Sequence, residues 1–170
     1  AFGDFTELEF SEELYTVGLG GNPEWDAPVV RVGYSSYTQP SQVLDYEVAT
    51  GTLTLLKEQE VEGGYDPDEY EAFRLWATAA DGAQVPVSVV RRKGVSGPAP
   101  LLLYGYGSYE MSMDPVLGVA RLSLLDRGVV YAVAHVRGGG ELGRRWYEDG
   151  KKLAKRHSFT DFVRSEERRV

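Results

Sequence analysis

Leu101-Leu102-Leu103-Tyr104-Gly105-Tyr106-Gly107-Ser108-Tyr109 is the stretch on which the fold turns. It begins as an unbroken apolar run and ends in glycines and tyrosines. An apolar run without polar alternation predicts a strand buried on both faces, as in a parallel sheet covered by helices. The residues that follow fit such a sheet. Asp114-Pro115 reads as a helix start, with Asp as N-cap and Pro at the first helical position. Val116, Val119, Ala120, Leu124 and Leu125 recur at helical spacing, and Gly128 can close the helix. Val129-Val130-Tyr131-Ala132-Val133-Ala134 is a second buried-strand run. Strand, helix, strand predicts a parallel crossover, and so an α/β fold. Trp146–Lys155 reads as a further helix, and Phe159–Val163 as the start of another.

Upstream, the pattern changes to β hairpins. Val29–Tyr37 is rich in β-branched and aromatic residues, and Pro40 ends it. Val43–Val48 and Thr52–Leu56 flank Ala49-Thr50-Gly51, a hairpin with a short Gly-containing turn. This unit resembles one blade edge of a β-propeller, which cannot bury both faces without neighbouring blades. Gly63-Gly64-Tyr65-Asp66-Pro67 is a turn-rich hinge. It divides the chain into residues 1–66, the end of a β unit, and residues 67–170, the α/β part. Tyr70–Ala79 and Val85–Arg91 then form a second hairpin across Ala80-Asp81-Gly82-Ala83.

The composition narrows the function classes. With 170 residues, 42% hydrophobic and 12% aromatic, the chain suits a packed globular protein. No apolar stretch approaches the roughly 18 residues of a membrane span, and the start, Ala1-Phe2-Gly3-Asp4, has no signal-peptide pattern. Without cysteine there is no disulfide, thiol nucleophile or cysteine-ligated metal. The net charge of −8 divides unevenly: residues 1–90 carry 17 acidic and 3 basic side chains, while residues 91–170 carry 9 acidic and 15 basic. The basic residues are interleaved with Gly, Trp, Tyr and acids, which does not describe a nucleic-acid module.

Candidate functional residues gather after the two apolar runs, where ligands bind in open α/β sheets. In Tyr104–Tyr109 the glycines let the backbone approach a substrate, and a tyrosine hydroxyl can reach into a site. The same residues would also serve as a tight strand exit with tyrosines packed on the surface. Arg137-Gly138-Gly139-Gly140-Glu141 lies at the same sheet edge. Arg137 and Glu141 either pair with each other or shape the rim of a substrate cleft. His135 ends an apolar strand and reads as a packed residue, while His157 sits among Lys151, Lys152, Lys155 and Arg156 on a solvated face. The spacing holds no metal-ligand pair. The acids Asp66, Asp68, Glu69 and Glu71 read as a solvated turn rather than a calcium loop. Phosphate-loop and dinucleotide fingerprints are absent, so no cofactor is expected. The nucleophile motif Gly-x-Ser-x-Gly is also absent, and Ser96, Ser108 and Ser123 sit in other contexts.

Four longer motifs carry a resemblance. Leu103–Tyr109, Arg121–Gly128, Ala134–Arg144 and Trp146–Lys151 are similar, in order and spacing, to the oligopeptidase B branch of the prolyl oligopeptidase family, and Arg74–Ala77 and Asp81–Pro86 fit the same branch. The resemblance runs roughly from Arg31 to Val163. It implies an α/β-hydrolase domain capped by a seven-bladed β-propeller, with a Ser-Asp-His triad that cuts short peptides after Arg or Lys. Prolyl endopeptidase is the runner-up, and a non-catalytic protein-binding module the alternative from another class. Tyr106 matches the tyrosine whose hydroxyl donates to the oxyanion, and Tyr109 the aromatic residue lining the substrate pocket. Oligopeptides and the rest of a parent polypeptide are the implied partners, with no nucleic acid and no membrane. A cytoplasmic location is expected, with the periplasm as the alternative.

Two departures stand out. Glu110 occupies a position where the family usually has glycine, which is expected to distort the loop. After Phe159–Val163 the chain reads Arg164-Ser165-Glu166-Glu167-Arg168-Arg169-Val170, where the family continues with an apolar-faced helix. The family's serine, aspartate and histidine come later in sequence. The resemblance therefore implies an internal piece that lacks the nucleophile and the base.

Overall fold

The computed structural model describes residues 7–166. Both the Ala1–Asp4 reading and the last residues of the charged end lie outside them. The first sheet is an antiparallel meander of β1 (Tyr15–Leu19), β2 (Val29–Ser36), β3 (Gln42–Glu47) and β4 (Thr52–Glu58). β3 and β4 meet at the Gly-containing turn, where the Gly51 amide donates to the Glu47 carbonyl at 2.8 Å. One face packs Val32, Tyr34 and Leu44 against Phe10, Tyr15, Val30 and Leu53. Leu55 and Leu56 of β4, the edge strand of this sheet, stand exposed.

The second sheet has the order β5-β6-β8-β7. β5 (Tyr70–Thr78) and β6 (Gln84–Arg92) form the second hairpin, β6 pairs antiparallel with β8 (Val130–Ala134), and β8 pairs parallel with β7 (Leu101–Tyr104). The two central strands supply most of the core, with Val85, Val89 and Ala134 fully buried. Trp146 and Phe162 pack with that cluster, while Leu122 and Leu125 pack with Tyr131 and Val133 in another. This latter cluster also includes Leu14 and Tyr37, so apolar contact joins the two sheets. Tyr65 fastens the join: its hydroxyl donates to the Thr38 carbonyl at 2.7 Å and its ring stacks on Tyr70.

Three sequence expectations need correction. β7 is not buried on both faces: it lies at the sheet edge, and Leu101, Leu102 and Tyr104 are exposed. The helix after it, α1, spans only Val119–Leu125 and does not start at Asp114-Pro115. The Glu141 carboxylate binds the Met113 amide and holds the preceding segment against a neighbouring loop instead. Gly128 does close the helix, its amide donating to Leu125. Trp146–Lys155 is not one helix. α2 covers Arg144–Glu148, and α3 runs over Arg156–Glu166. Between them Gly150 lies so close to the Gly138 amide that a Cβ would sit 2.1 Å from it. The chain must turn there rather than continue helical.

Candidate active site

The parallel pair β7 and β8 delivers two glycine-rich loops to one edge of the sheet. They meet backbone to backbone. Gly107 has φ +64 and a Cβ on it would lie 2.3 Å from Val136 Cγ2; Gly138 has φ +102 and a Cβ there would lie 2.1 Å from the Gly107 oxygen. No side chain fits either position, which is the physical reason for glycine at both. The Glu110 amide closes the contact by donating to the Gly138 carbonyl at 3.1 Å.

Tyr109 and Glu110 follow with φ of 58° and 59°, in the left-handed region that costs a non-glycine residue about 1–2 kcal/mol. Glu110 therefore adopts the conformation a glycine would take, and the loop closes around it. Its carboxylate also takes a 2.6 Å hydrogen bond from Arg144. Strain of this kind persists only where the surroundings over-determine the backbone.

Tyr106 and Tyr109 lie on either side of this loop. Tyr106 is exposed and borders a cavity of about 400 Å³ with Phe159, Phe162 and Lys155. Its hydroxyl has no hydrogen-bond partner among the described residues. Tyr109 is exposed and borders a second cavity, of about 330 Å³, with Tyr147, Lys151 and Lys155.

Arg137 and Glu141 do not pair. The Arg137 guanidinium is buried, and it grips Asp161 of α3 through Nε at 2.9 Å and Nη2 at 2.7 Å. Its Nη1 reaches Asp81 in the β5–β6 turn at 2.6 Å. These hydrogen bonds, Asp161 first, push the guanidinium pKa above its ordinary value. Arg137 thus stands under the loops as a brace and not at an open rim.

Glu141 lines a third cavity, of about 480 Å³, with Arg74, Trp76, His135 and Met113. Its Oε1 accepts from the Met113 amide at 3.0 Å and lies 3.2 Å from His135 Nδ1. Burial pushes this carboxyl up, but the hydrogen bonds with His135 and Met113 outweigh it and hold the pKa below the usual value.

His135 Nε2 in turn lies 2.7 Å from Ser88 Oγ. Serine, histidine and carboxylate in that order have the connectivity of a hydrolytic triad. Ser88 is wholly buried in mid-strand, so no substrate carbonyl can reach it. The relay ties β6, β8 and the Glu141 loop together, and His135 is the packed residue its sequence context suggested.

Sequence reasoning missed Ser88, Asp161, Ser158 and Lys155. Asp161 had a readable signal, since an arginine ending a buried strand needs a carboxylate. Lys155 had none, because its significance depends on a fold contact with Gly107 and Ser108. Among the described residues no group of three His, Cys, Asp or Glu is placed to hold a metal, and no helix is long and apolar enough to cross a membrane.

A sheet with paired glycine loops at the ends of adjacent parallel strands defines an α/β protein, a class in which ligands bind at the strand ends. Comparison with known proteins makes the class specific. Residues 117–167 match the pattern of the Prolyl oligopeptidase family. Dipeptidyl aminopeptidase BI of Pseudoxanthomonas mexicana is 46% identical over 96% of this chain and 23% of its own length. Protease 2 of Moraxella lacunata is 41% identical over 95% of this chain and 24% of its own. The structure of oligopeptidase B from Trypanosoma brucei with covalently bound antipain, in its closed form, superposes with a TM-score of 0.87. It is 41% identical over 94% of this chain and 23% of that one. The chain belongs to the prolyl oligopeptidase family and is oligopeptidase B-like. It spans about a quarter of the length of these relatives.

Proposed function

We propose that this chain forms part of a serine oligopeptidase that hydrolyses short peptides after Arg or Lys, and that Tyr106 donates one hydrogen bond to the oxyanion. In this reading residues 1–66 are the last part of a β-propeller with its hinge, and residues 67–170 the first part of an α/β-hydrolase domain. The rest of the polypeptide supplies the serine, aspartate and histidine, so the chain alone has no peptidase activity. The observation that carries the proposal is the Tyr106 loop. A phenol with an unspent donor stands at the end of a parallel strand, on a backbone held in left-handed conformations, in a chain 41% identical to oligopeptidase B. A neutral phenol is a donor at pH 7, and a donor aimed at developing negative charge lowers the barrier. Tyr109, exposed on the same loop, would line the substrate pocket.

The test is Tyr106→Phe in the full-length polypeptide, assayed on an arginyl amide. Losing one oxyanion donor should cost on the order of 10²–10³ in kcat, about 2.7–4 kcal/mol. KM should move far less, because uniform binding is not what was removed. Tyr109→Ala should show the reverse balance. A kcat near wild type for Tyr106→Phe would remove Tyr106 from the site. No activity in the full-length protein would favour a protein-binding module.

A second reading is favoured by the 46% identity to a dipeptidyl aminopeptidase, whose name implies release of dipeptides from a free N-terminus. Substrates with free and blocked N-termini separate the two. Equal cleavage of the blocked substrate supports the oligopeptidase.

A further inference from the structure

Lys155 lies just before α3, beneath the loop that carries Tyr106 and Tyr109. Its ammonium donates to the Gly107 carbonyl, to Ser108 Oγ at 2.7 Å and to Ser158 Oγ at 3.2 Å. All three acceptors are neutral. The neighbouring cations are paired: Lys151 with Glu148, and Arg144 with both Glu110 and Glu148. Lys155 forms no ion pair among the described residues. Burial lowers its pKa, as expected for a cation drawn out of water without a counter-charge.

The helix that follows Lys155 is itself tied to the second loop. Ser158 Oγ donates to the Arg137 carbonyl, and Asp161, one turn further along α3, holds the Arg137 guanidinium. Lys155 borders both cavities that flank the loop, the one with Tyr106 and the one with Tyr109. A surface lysine gains nothing from such a place. A loop with Gly107, Tyr109 and Glu110 all at positive φ needs an external hold.

We propose that Lys155 is a positioning residue for the Tyr106 hydroxyl: by holding the Gly107 carbonyl and the Ser108 hydroxyl it fixes the loop backbone that aims the phenol. The inference rests on the Tyr106 reading above. Lys155 touches the loop rather than the reacting carbonyl, so its effect should pass through Tyr106.

The test is a double-mutant cycle in the full-length polypeptide on the same arginyl amide, with Lys155→Met, Tyr106→Phe and the pair. A misplacement of about 1 Å can cost up to about 10²-fold in rate, so Lys155→Met should lower kcat by about 10- to 100-fold. KM should stay within about threefold, as expected when only transition-state interactions are lost. In the Tyr106→Phe background Lys155→Met should cost less than about threefold, because residues acting as a unit are non-additive. Thermal midpoints are measured for each variant. If Lys155→Met does not fold, Lys155→Gln, which keeps two donors, carries the same cycle with a smaller expected loss. An unchanged kcat for Lys155→Met, or losses that simply multiply, would overturn the positioning role while leaving Tyr106 in place. A silent Tyr106→Phe would overturn the oxyanion reading and this role with it.

Discussion

Arg137 holds two carboxylates that differ in kind. Asp161 is wholly buried, whereas the Asp81 side chain is about half exposed. Removing one partner of a buried pair strands a charge and costs about 3–5 kcal/mol. An exposed pair contributes about 0–1 kcal/mol. Asp161→Ala should therefore lower the thermal midpoint of the full-length protein sharply, and Asp81→Ala should barely move it. Equal shifts for the two variants would show that the burial difference does not govern the pair. From sequence, Arg137 was visible as a charged residue after a buried strand, and Glu141 was its nearest acid. The true partner lies 24 residues away on α3, a distance that only the folded chain closes.

At the scale of elements, what was legible followed short-range rules. The hairpins β3–β4 and β5–β6 were readable because their turns and flanking β-branched runs are contiguous. The parallel pairing of β7 with β8 was readable because an apolar strand, a helical stretch and a second apolar strand follow one another. What failed depended on neighbours. The burial of β7 turns on whether a strand sits beyond it, and four apolar letters carry no record of that. The start of α1 lies at Gly118 and not at Asp114-Pro115, which sit in a loop whose Met113 amide donates to Glu141. At the site, Tyr106 and Tyr109 could be nominated through the family resemblance, but the brace of Arg137 and Lys155 beneath them could not.

The paired glycine loops give a further prediction at this scale. Gly138→Ala places a methyl 2.1 Å from the Gly107 oxygen on a backbone at φ +102. Strain at such a position costs on the order of 1–3 kcal/mol before any clash. The loops must separate, and kcat of the full-length enzyme should fall by at least about 10-fold, the rate equivalent of 1.4 kcal/mol. Gly63→Ala also has positive φ, but nothing lies within 4 Å of it. It serves as the control, with loss of some stability and no loss of kcat. A Gly138→Ala enzyme with normal kcat would show that the loop contact is not required.

On the scale of the whole molecule, the two sheets are joined by the Leu14–Tyr37–Leu122 cluster and by Tyr65, while among the described residues no strand lies beyond the outer edge of β7. A bare edge with exposed leucines is a template for pairing with another chain. Expressed alone, residues 1–170 should therefore be largely insoluble, and Leu102→Lys should raise the soluble fraction severalfold by placing a charge on that edge. A monomeric, cooperatively melting 170-residue chain would count against the reading that the sheet is completed by further strands.

The strand order also has a consequence in time. β7 precedes β8 in the chain, yet among the described residues it pairs with β8 alone. A ribosome adds about 5–20 residues per second, so the stretch from Tyr104 to Val130 takes on the order of one to five seconds to appear. Hairpins form in about 1–10 microseconds, so β5 and β6 have paired long before β7 finds anything to bind. For those seconds Leu101, Leu102 and Leu103 have no strand to pair with on a nascent chain.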